Sequence, residues 1–212
     1  MSTAAQKVAF DAPRVIPPED QVRADYYALL AYLFGRAPDD RLLHAIVIAP
    51  EPESEKEDAE LTAAWRTLAA ASSAVTHDAV EDEFDKLFGG VGRPEVMLFG
   101  SYYLAGFMHE KPLAQLREDL AQLGLGRGDG VTVTEDHLAA LCEVMRFLIL
   151  GDLDTRPASV EEQRAFFTAH MQPWVQKCCA SILASDKANF YKRVAAFAHA
   201  FFAIEIEAFD MD

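Results

Sequence analysis

Apolar side chains recur at helical spacing along almost the whole of this 212-residue chain. In the first such stretch the apolar residues lie four, seven, eight and eleven positions after the first one, on one helix face. Its members are Val22, Tyr26, Leu29, Leu30 and Leu33. Alternation typical of a strand occurs only at 131–133, which is too short to predict a sheet. The pattern therefore predicts an all-α fold, a bundle of about eight to ten helices.

Glycine, proline and capping residues mark the ends of these predicted helices. Ser54 and Glu57, and again Ser159 and Glu162, have the spacing of a capping box at a helix start. Thr134 is expected to cap the helix that follows it. The apolar stripes predict a core that contains Tyr26, Leu30, Trp65, Phe88, Leu141, Phe166, Trp174, Phe197 and Phe201.

The sequence predicts a short arm followed by one long domain. Residues 1–17 contain Pro13 and Pro17 and have no sustained period, which predicts a flexible N-terminal arm. Residues 18–212 carry the apolar stripes and predict a single all-helical domain. Alternate glycines make 124–133 a possible hinge within that domain, because glycine permits many backbone conformations.

The composition excludes several classes of function. The formal net charge is −15, whereas proteins that bind nucleic acid need a basic face. The three cysteines do not make a disulfide framework, and neither a signal peptide nor a run of about 20 apolar residues occurs. We therefore expect a cytoplasmic protein without stable membrane insertion. A solvated acidic face is expected on the fourth predicted helix, at Glu81, Asp82, Glu83 and Asp85.

Two stretches of the chain do not follow helical periodicity. The first extends from Phe84 to Tyr103, and it stays apolar beyond the glycines and the proline that end its helix. The second covers residues 134–138 and contains an Asp-His pair. An apolar, aromatic loop must either pack against the core or bind something. Both stretches therefore contain candidate functional residues.

The same two stretches resemble the motifs of the TorD family. The matching features are a helix that ends in Phe-x-x-Leu-Phe at Phe88, a Gly/Pro segment, the Ser-Tyr-Tyr at 101–103 and the Asp-His at 136–137. The resemblance covers nearly the whole chain. The helix at 23–34 is similar to the first helix of the family, and the His-Met-Gln-Pro-Trp at 170–174 is similar to a closing segment. One departure lies before the Asp-His pair, where Val133 and Thr134 replace the usual Glu-Pro.

Membership of that family would imply a role in maturing other proteins. TorD-like proteins are cytoplasmic chaperones that bind the twin-arginine leader, the body of an apo-molybdoenzyme, or both. They assist cofactor insertion and proofread export. The implied partner is thus a molybdenum oxidoreductase subunit, and the implied assembly is a monomer or a domain-swapped homodimer. No cofactor of the chain's own is implied.

The resemblance also implies a set of peptide-binding residues, which are Asp136, His137, Ser101, Tyr102, Tyr103 and Phe88. In this interpretation Asp136 offers its carboxylate to a guanidinium, and His137 donates or accepts a hydrogen bond beside it. The alternative is that both residues only mark the start of a helix, where aspartate is favourable. Likewise, Tyr102 and Tyr103 either add area to the core or form the mouth of an apolar groove.

Sequence signatures of enzymes are scarce. The glycines at 124–130 do not match Gly-x-Gly-x-x-Gly, no Walker lysine motif occurs, and no two histidines are four residues apart. Cys178 and Cys179 are consecutive, so on a helix their side chains diverge by about 100° and do not suit one metal ion. We therefore predict neither catalysis nor a metal site. Two alternatives stay open: a small all-α nucleotide-binding or hydrolysing protein, because some relatives are associated with weak guanine-nucleotide binding, and a helical scaffold whose motifs belong to the core.

Overall fold

The computed structural model describes residues 16–52, 59–89, 94–106, 111–128, 133–152 and 155–211. Within these ranges the chain forms ten helices and no strand. In chain order the helices are α1 (Pro18–Gly35), α2 (Asp40–Ile48), α3 (Ala59–Ala74), α4 (His77–Phe88), α5 (Gly100–Ala105), α6 (Lys111–Gln122), α7 (Leu138–Leu150), α8 (Val160–His170), α9 (Val175–Ala184) and α10 (Phe190–Met211). The predicted all-α class and the predicted number of helices are confirmed.

A single apolar core is shared by most of these helices. Helix α1 packs along α7, α10 packs against α9 and α3, and α2 packs against α3. Seven of the nine predicted core residues are buried, and the other two, Tyr26 and Phe88, are half-buried and pack against the core. The apolar stripes of the sequence therefore identified the interior correctly at these positions.

The buried face of α1 differs from the stripe that the sequence predicted. Val22 is 48% exposed, whereas Ala24, Tyr27 and Ala31 are buried. Helix α1 packs along α7, and two alanines form part of its buried face. A stripe drawn through large apolar residues alone misses such a face, so the prediction for Val22 was wrong.

A buried ion pair joins α1 to α10. Arg23 donates from Nε and Nη2 to the two carboxylate oxygens of Glu205, at 2.8 and 2.9 Å. The hydroxyl of Tyr27 donates to the same carboxylate at 2.8 Å, and Arg23 also reaches the side-chain oxygen of Gln163 on α8 at 3.3 Å. The Glu205 side chain is only 2% exposed, and burying a carboxylate is costly without partners such as these.

Glu83 is not part of a solvated acidic face, and that prediction was wrong for this residue. Its carboxylate accepts hydrogen bonds from the backbone N–H groups of Asn189, Phe190 and Tyr191, at 2.7, 3.0 and 2.8 Å. The first N–H groups of a helix have no partner within the helix, so Glu83 of α4 caps the start of α10. The other three acidic residues are exposed as expected: Glu81, Asp82 and Asp85.

Two local signals for helix ends, at the start of α8 and the end of α7, agree with the structure. Ser159 and Glu162 form both hydrogen bonds of the predicted capping box at the start of α8. Gly151 ends α7 with a φ of +64°, and a Cβ at this position would collide with the backbone oxygen of Thr155. The predicted capping box at Ser54 lies outside the described residues, as does the predicted arm up to residue 15.

Candidate functional site

The two irregular stretches of the sequence lie side by side in the fold. Phe99 and His137 form an isolated antiparallel bridge. The N–H of Gly100 donates to the carbonyl oxygen of Asp136 at 2.9 Å. Backbone contacts therefore join the Ser-Tyr-Tyr stretch directly to the Asp-His pair.

Ser101, Tyr102 and Tyr103 lie in the short helix α5 rather than in the loop that the sequence predicted. The residue that precedes α5, Phe99, has no side-chain oxygen with which to cap it. Instead, Oδ2 of Asp136 accepts a hydrogen bond from the N–H of Ser101 at 2.9 Å. A carboxylate 35 residues further along the chain thus supplies the cap that allows this helix to form.

Asp136 and His137 precede α7 instead of lying in its first turn. Helix α7 begins at Leu138, and Nδ1 of His137 caps it by accepting the N–H of Ala139 at 3.2 Å. Thr134 does not cap α7, because its hydroxyl donates to Oδ1 of Asp136 at 2.6 Å. The segment before α7 forms a turn, in which the N–H of His137 donates to the carbonyl oxygen of Thr134 at 3.1 Å. His137 itself is extended and bridges to Phe99, so the helix starts later than predicted.

His137 is buried and uncharged at neutral pH. Its ring contacts the edge of Phe99 with ring centroids 4.9 Å apart. Burial lowers the pKa of His137 to about 4, and the nearby Asp136 only partly opposes this effect. Because Nδ1 accepts a hydrogen bond, the proton of the neutral ring lies on Nε2. His137 therefore acts as a neutral cap and does not bring positive charge to the site.

A small cavity, here called the Ser101 pocket, lies beside the Asp136 carboxylate. Its volume is about 110 Å³, and its polar lining residues are Ser101, Gln115, Asp136 and His170. Leu104 also lines the pocket and is an exposed residue. The volume is enough for a few water molecules, at about 30 Å³ each in the liquid, or for the end of one long side chain.

The Ser101 pocket has unused hydrogen-bonding capacity. Ser101 is 1% exposed, and its hydroxyl has no hydrogen-bond partner among the described residues. The Asp136 side chain accepts two hydrogen bonds there, from Ser101 and Thr134, although a carboxylate offers about four lone-pair sites. A buried polar group without a partner is costly. The pocket is therefore suited to a ligand group that carries N–H donors.

A larger cavity, here called the α6–α7 groove, lies on the other side of the same segment. Its volume is about 460 Å³. It is lined by one residue of α1, by the end of α6 and the segment after it, and by the start and one face of α7. Apolar lining residues include Ala31, Leu120, Ala140, Val144 and Phe147. This size and lining fall within the range of ligand-binding clefts in proteins.

Charged residues surround the apolar floor of the α6–α7 groove. Glu135 pairs with Arg117 at 2.9 Å, and Glu143 pairs with Arg146 at 2.8 Å. Burial opposes ionisation of Glu135, but its ion pair with Arg117 lowers its pKa overall, so it is a carboxylate at neutral pH. Arg127 also lines the groove. The groove thus combines an apolar floor with ionised groups of both signs.

Sequence reasoning did not identify the groove residues as candidates. A signal was present, because the α7 sequence is apolar on nearly all sides, which is typical of a helix with contacts on more than one face. Thr134 and Glu135 line the groove, whereas Asp136 lines the Ser101 pocket. Three consecutive residues therefore contribute to the walls of the two cavities.

The remaining predicted site residues occupy two different surroundings. Tyr103 stacks on Trp174 with ring centroids 5.5 Å apart and packs against Tyr102, so both tyrosines stay next to Ser101. Phe88 does not join them. Its aromatic contacts among the described residues are with Phe34, Phe84 and Tyr191.

Three further properties bear on the kind of site. In the ranges that the structure describes, no group of three or more His, Cys, Asp or Glu residues is arranged to hold a metal ion. None of the described helices is both long and apolar enough to cross a membrane. The three cysteines are buried and free, and burial raises the pKa of Cys178 to about 12.

Comparison with known proteins identifies the family. A family model described as nitrate reductase delta subunit matches residues 54–180, which is more than half of the chain and includes both cavities' main walls. No curated protein sequence matches the chain. The match covers the Ser-Tyr-Tyr stretch and the Asp-His pair, in agreement with the resemblance seen in the sequence. The chain therefore belongs to the nitrate reductase delta subunit family, a TorD-like family of chaperones for molybdoenzyme maturation.

Proposed function

We propose that this chaperone binds the twin-arginine leader of an apo-molybdoenzyme and retains it until the cofactor has been inserted. The observation that carries the proposal is the adjacency of the α6–α7 groove and the Ser101 pocket across residues 134–136. A leader of this kind joins adjacent arginines to an apolar, helix-forming stretch. Its receptor needs an apolar groove and carboxylates close together.

The α6–α7 groove is the proposed site for the apolar stretch of the leader. An amphipathic helix laid into a groove buries its apolar face against side chains such as Val144 and Phe147. Glu135 and Glu143 at the rim are each paired with an arginine of the chain. A cationic leader would compete for these carboxylates, which favours a ligand with arginines beside its apolar face.

The Ser101 pocket is the proposed site for one arginine side chain. Its volume of about 110 Å³ admits the end of a single long side chain rather than two. A guanidinium has five N–H donors, which can serve both the Asp136 carboxylate and the unpartnered Ser101 hydroxyl. Tyr102 and Tyr103 are proposed to flank this arginine, with His137 as a neutral neighbour.

Other parts of the proposed function rest on the family resemblance rather than on these cavities. Phe88 stays a prediction, since its ring lies in a separate aromatic cluster. We propose that this protein binds the leader in the cytoplasm, before export, and that it can also bind the body of the apo-enzyme. A monomer and a domain-swapped dimer are both proposed assemblies.

Replacing Asp136 with asparagine is expected to weaken leader binding at least tenfold. The loss of a charged partner in a sheltered pair costs on the order of 2–5 kcal/mol of binding free energy. Asparagine remains a good helix-capping residue, so the free energy of unfolding should fall by only about 1 kcal/mol. Isothermal titration calorimetry with a synthetic peptide, containing adjacent arginines and the apolar stretch, measures the affinity.

The matched control is Asp82 to asparagine, which makes the same change at an exposed position on α4. Its leader affinity should equal that of the wild type. A second peptide with both arginines replaced by lysine should bind more weakly, because lysine cannot form the bidentate contact. Equal affinity of the wild type and Asp136→Asn for the arginine peptide would remove Asp136 from the site.

A further inference from the structure

Trp174 lies behind the Ser101 pocket, in the turn between α8 and α9. The indole is fully buried, and its Nε1 donates to the backbone carbonyl oxygen of His170 at 2.6 Å. The ring of His170 lines the pocket, and its Nε2 lies 2.8 Å from Oδ2 of Asp119 on α6. The indole is thereby fixed to the far wall of the pocket.

The indole also contacts the first residue of α5 at very short range. A Cβ added to Gly100 would lie 3.0 Å from Nε1 and 3.1 Å from Cε2 of Trp174. Such distances are shorter than those of ordinary van der Waals contacts. The absence of a side chain at Gly100 therefore allows the backbone of α5 to rest on the indole.

A second contact holds the other end of the Ser-Tyr-Tyr stretch. The ring of Tyr103 stacks on the indole with an interplanar angle of 17°. Burial raises the pKa of Tyr103, and its hydroxyl interacts with Cys178 and Ser181 on α9. Ser101 lies between these two contacts in the chain, and its N–H is the group that donates to Asp136.

We infer that Trp174 is a positioning residue for the site, because it fixes α5 so that Ser101 meets the Asp136 carboxylate. Trp174 contacts Gly100 and Tyr103 and acts through them, without touching the ligand. The role in leader binding rests on the proposed function. The positioning of Ser101 does not, and it can be measured in the free protein.

Hydrogen exchange of single amides tests the positioning directly. In Trp174→Phe the indole N–H is lost and the ring is smaller. The amides of Gly100 and Ser101 should then exchange at least tenfold faster, while amides in the middle of α10 keep their wild-type rates. Unchanged exchange at Ser101, or the same acceleration throughout the protein, would show that Trp174 is only a core residue.

The matched control is Trp65→Phe, which makes the same change at the other tryptophan. Trp65 is buried on α3 against Tyr26 and Phe197, and its aromatic contacts do not involve α5. This variant should keep wild-type exchange at Ser101. If Trp174→Phe does not fold, Gly100→Ala perturbs the same contact from the opposite side and should give the same local acceleration, whereas normal protection at Ser101 would overturn the inference.

Leader binding then separates the inference from the proposed function. Trp174→Phe should bind the arginine peptide about tenfold more weakly, and Trp65→Phe should bind it as the wild type does. If the wild type itself does not bind the peptide, the proposed function fails, and the exchange rates still decide the role of Trp174. If the wild type binds the peptide and Trp174→Phe binds it with the same affinity, Trp174 does not position the site for leader binding.

Discussion

Replacing Ala140 with tryptophan is expected to reduce leader affinity at least 100-fold. Ala140 lines the α6–α7 groove and is half-buried, so an indole at this position would occupy the volume proposed for the apolar part of the leader. A steric block acts against the ligand without adding a charge. A 100-fold loss corresponds to about 2.7 kcal/mol of binding free energy, which is typical for removal of a central anchor.

Fluorescence anisotropy of a labelled leader peptide measures this loss. The matched control is Ala165→Trp, which adds the same side chain at an exposed position on α8 and should leave the affinity unchanged. Both variants should unfold at about the wild-type temperature, because neither position is in the core. An affinity of Ala140→Trp within threefold of the wild type would show that the leader does not lie in the groove.

Replacing Arg23 with methionine is expected to lower the free energy of unfolding by about 3–5 kcal/mol. The change leaves the Glu205 carboxylate buried with Tyr27 as its remaining close partner. Although burial favours the uncharged form of Arg23, Glu205 raises its pKa well above the usual value, which shows how strongly the pair interacts. Urea unfolding followed by circular dichroism gives the free energy directly.

A double variant tests whether Arg23→Met destabilises the protein through the unpaired charge of Glu205 or through the lost packing of the Arg23 side chain. Replacing both Arg23 with methionine and Glu205 with leucine removes both charges and should recover part of the lost stability, because the buried Tyr27 hydroxyl then loses its acceptor. The control is Arg66→Met. Arg66 pairs with the exposed Glu51, so this change should not measurably lower the free energy of unfolding. If Arg23→Met lowers the free energy of unfolding by less than about 1 kcal/mol, the ion pair of Arg23 with Glu205 is not important for stability.

Features set by neighbouring residues could be predicted from the sequence. The capping box of Ser159 and Glu162 spans three residues, and Gly151 ends α7 because of its own backbone angle, so both signals are local. The apolar stripes likewise placed Leu141, Trp174 and others in the core. That residues 18–212 form one domain stays a prediction.

Features set by distant residues could not be predicted. The cap of α5 comes from Asp136, 35 residues away, and Glu83 caps α10 from more than 100 residues away. Periodicity carries no information about such partners. The face of α1 was misjudged at Val22 because the stripe was drawn through large apolar residues, whereas the buried face also includes Ala24 and Ala31.

The departure from the family pattern before the Asp-His pair has a structural explanation. Thr134 stands where the family commonly has proline, and its hydroxyl holds Oδ1 of Asp136 at 2.6 Å. The aspartate is therefore fixed by a side chain that proline could not supply. The predicted hinge at 124–133 is described only in part. Gly124 has a φ of +71° at the end of α6, and residues 129–132 lie outside the described ranges, so the hinge stays a prediction.

Chemical-shift mapping with an isotope-labelled chain and an unlabelled leader peptide shows where on the protein the leader binds. We expect the largest shift changes on titration at Ser101 and Asp136, in the pocket, and at Ala140 and Val144, in the groove. A peptide with lysines in place of arginines should lose mainly the pocket changes. Shift changes confined to other surfaces, such as α2, or an unchanged spectrum at saturating peptide would contradict leader binding at this site.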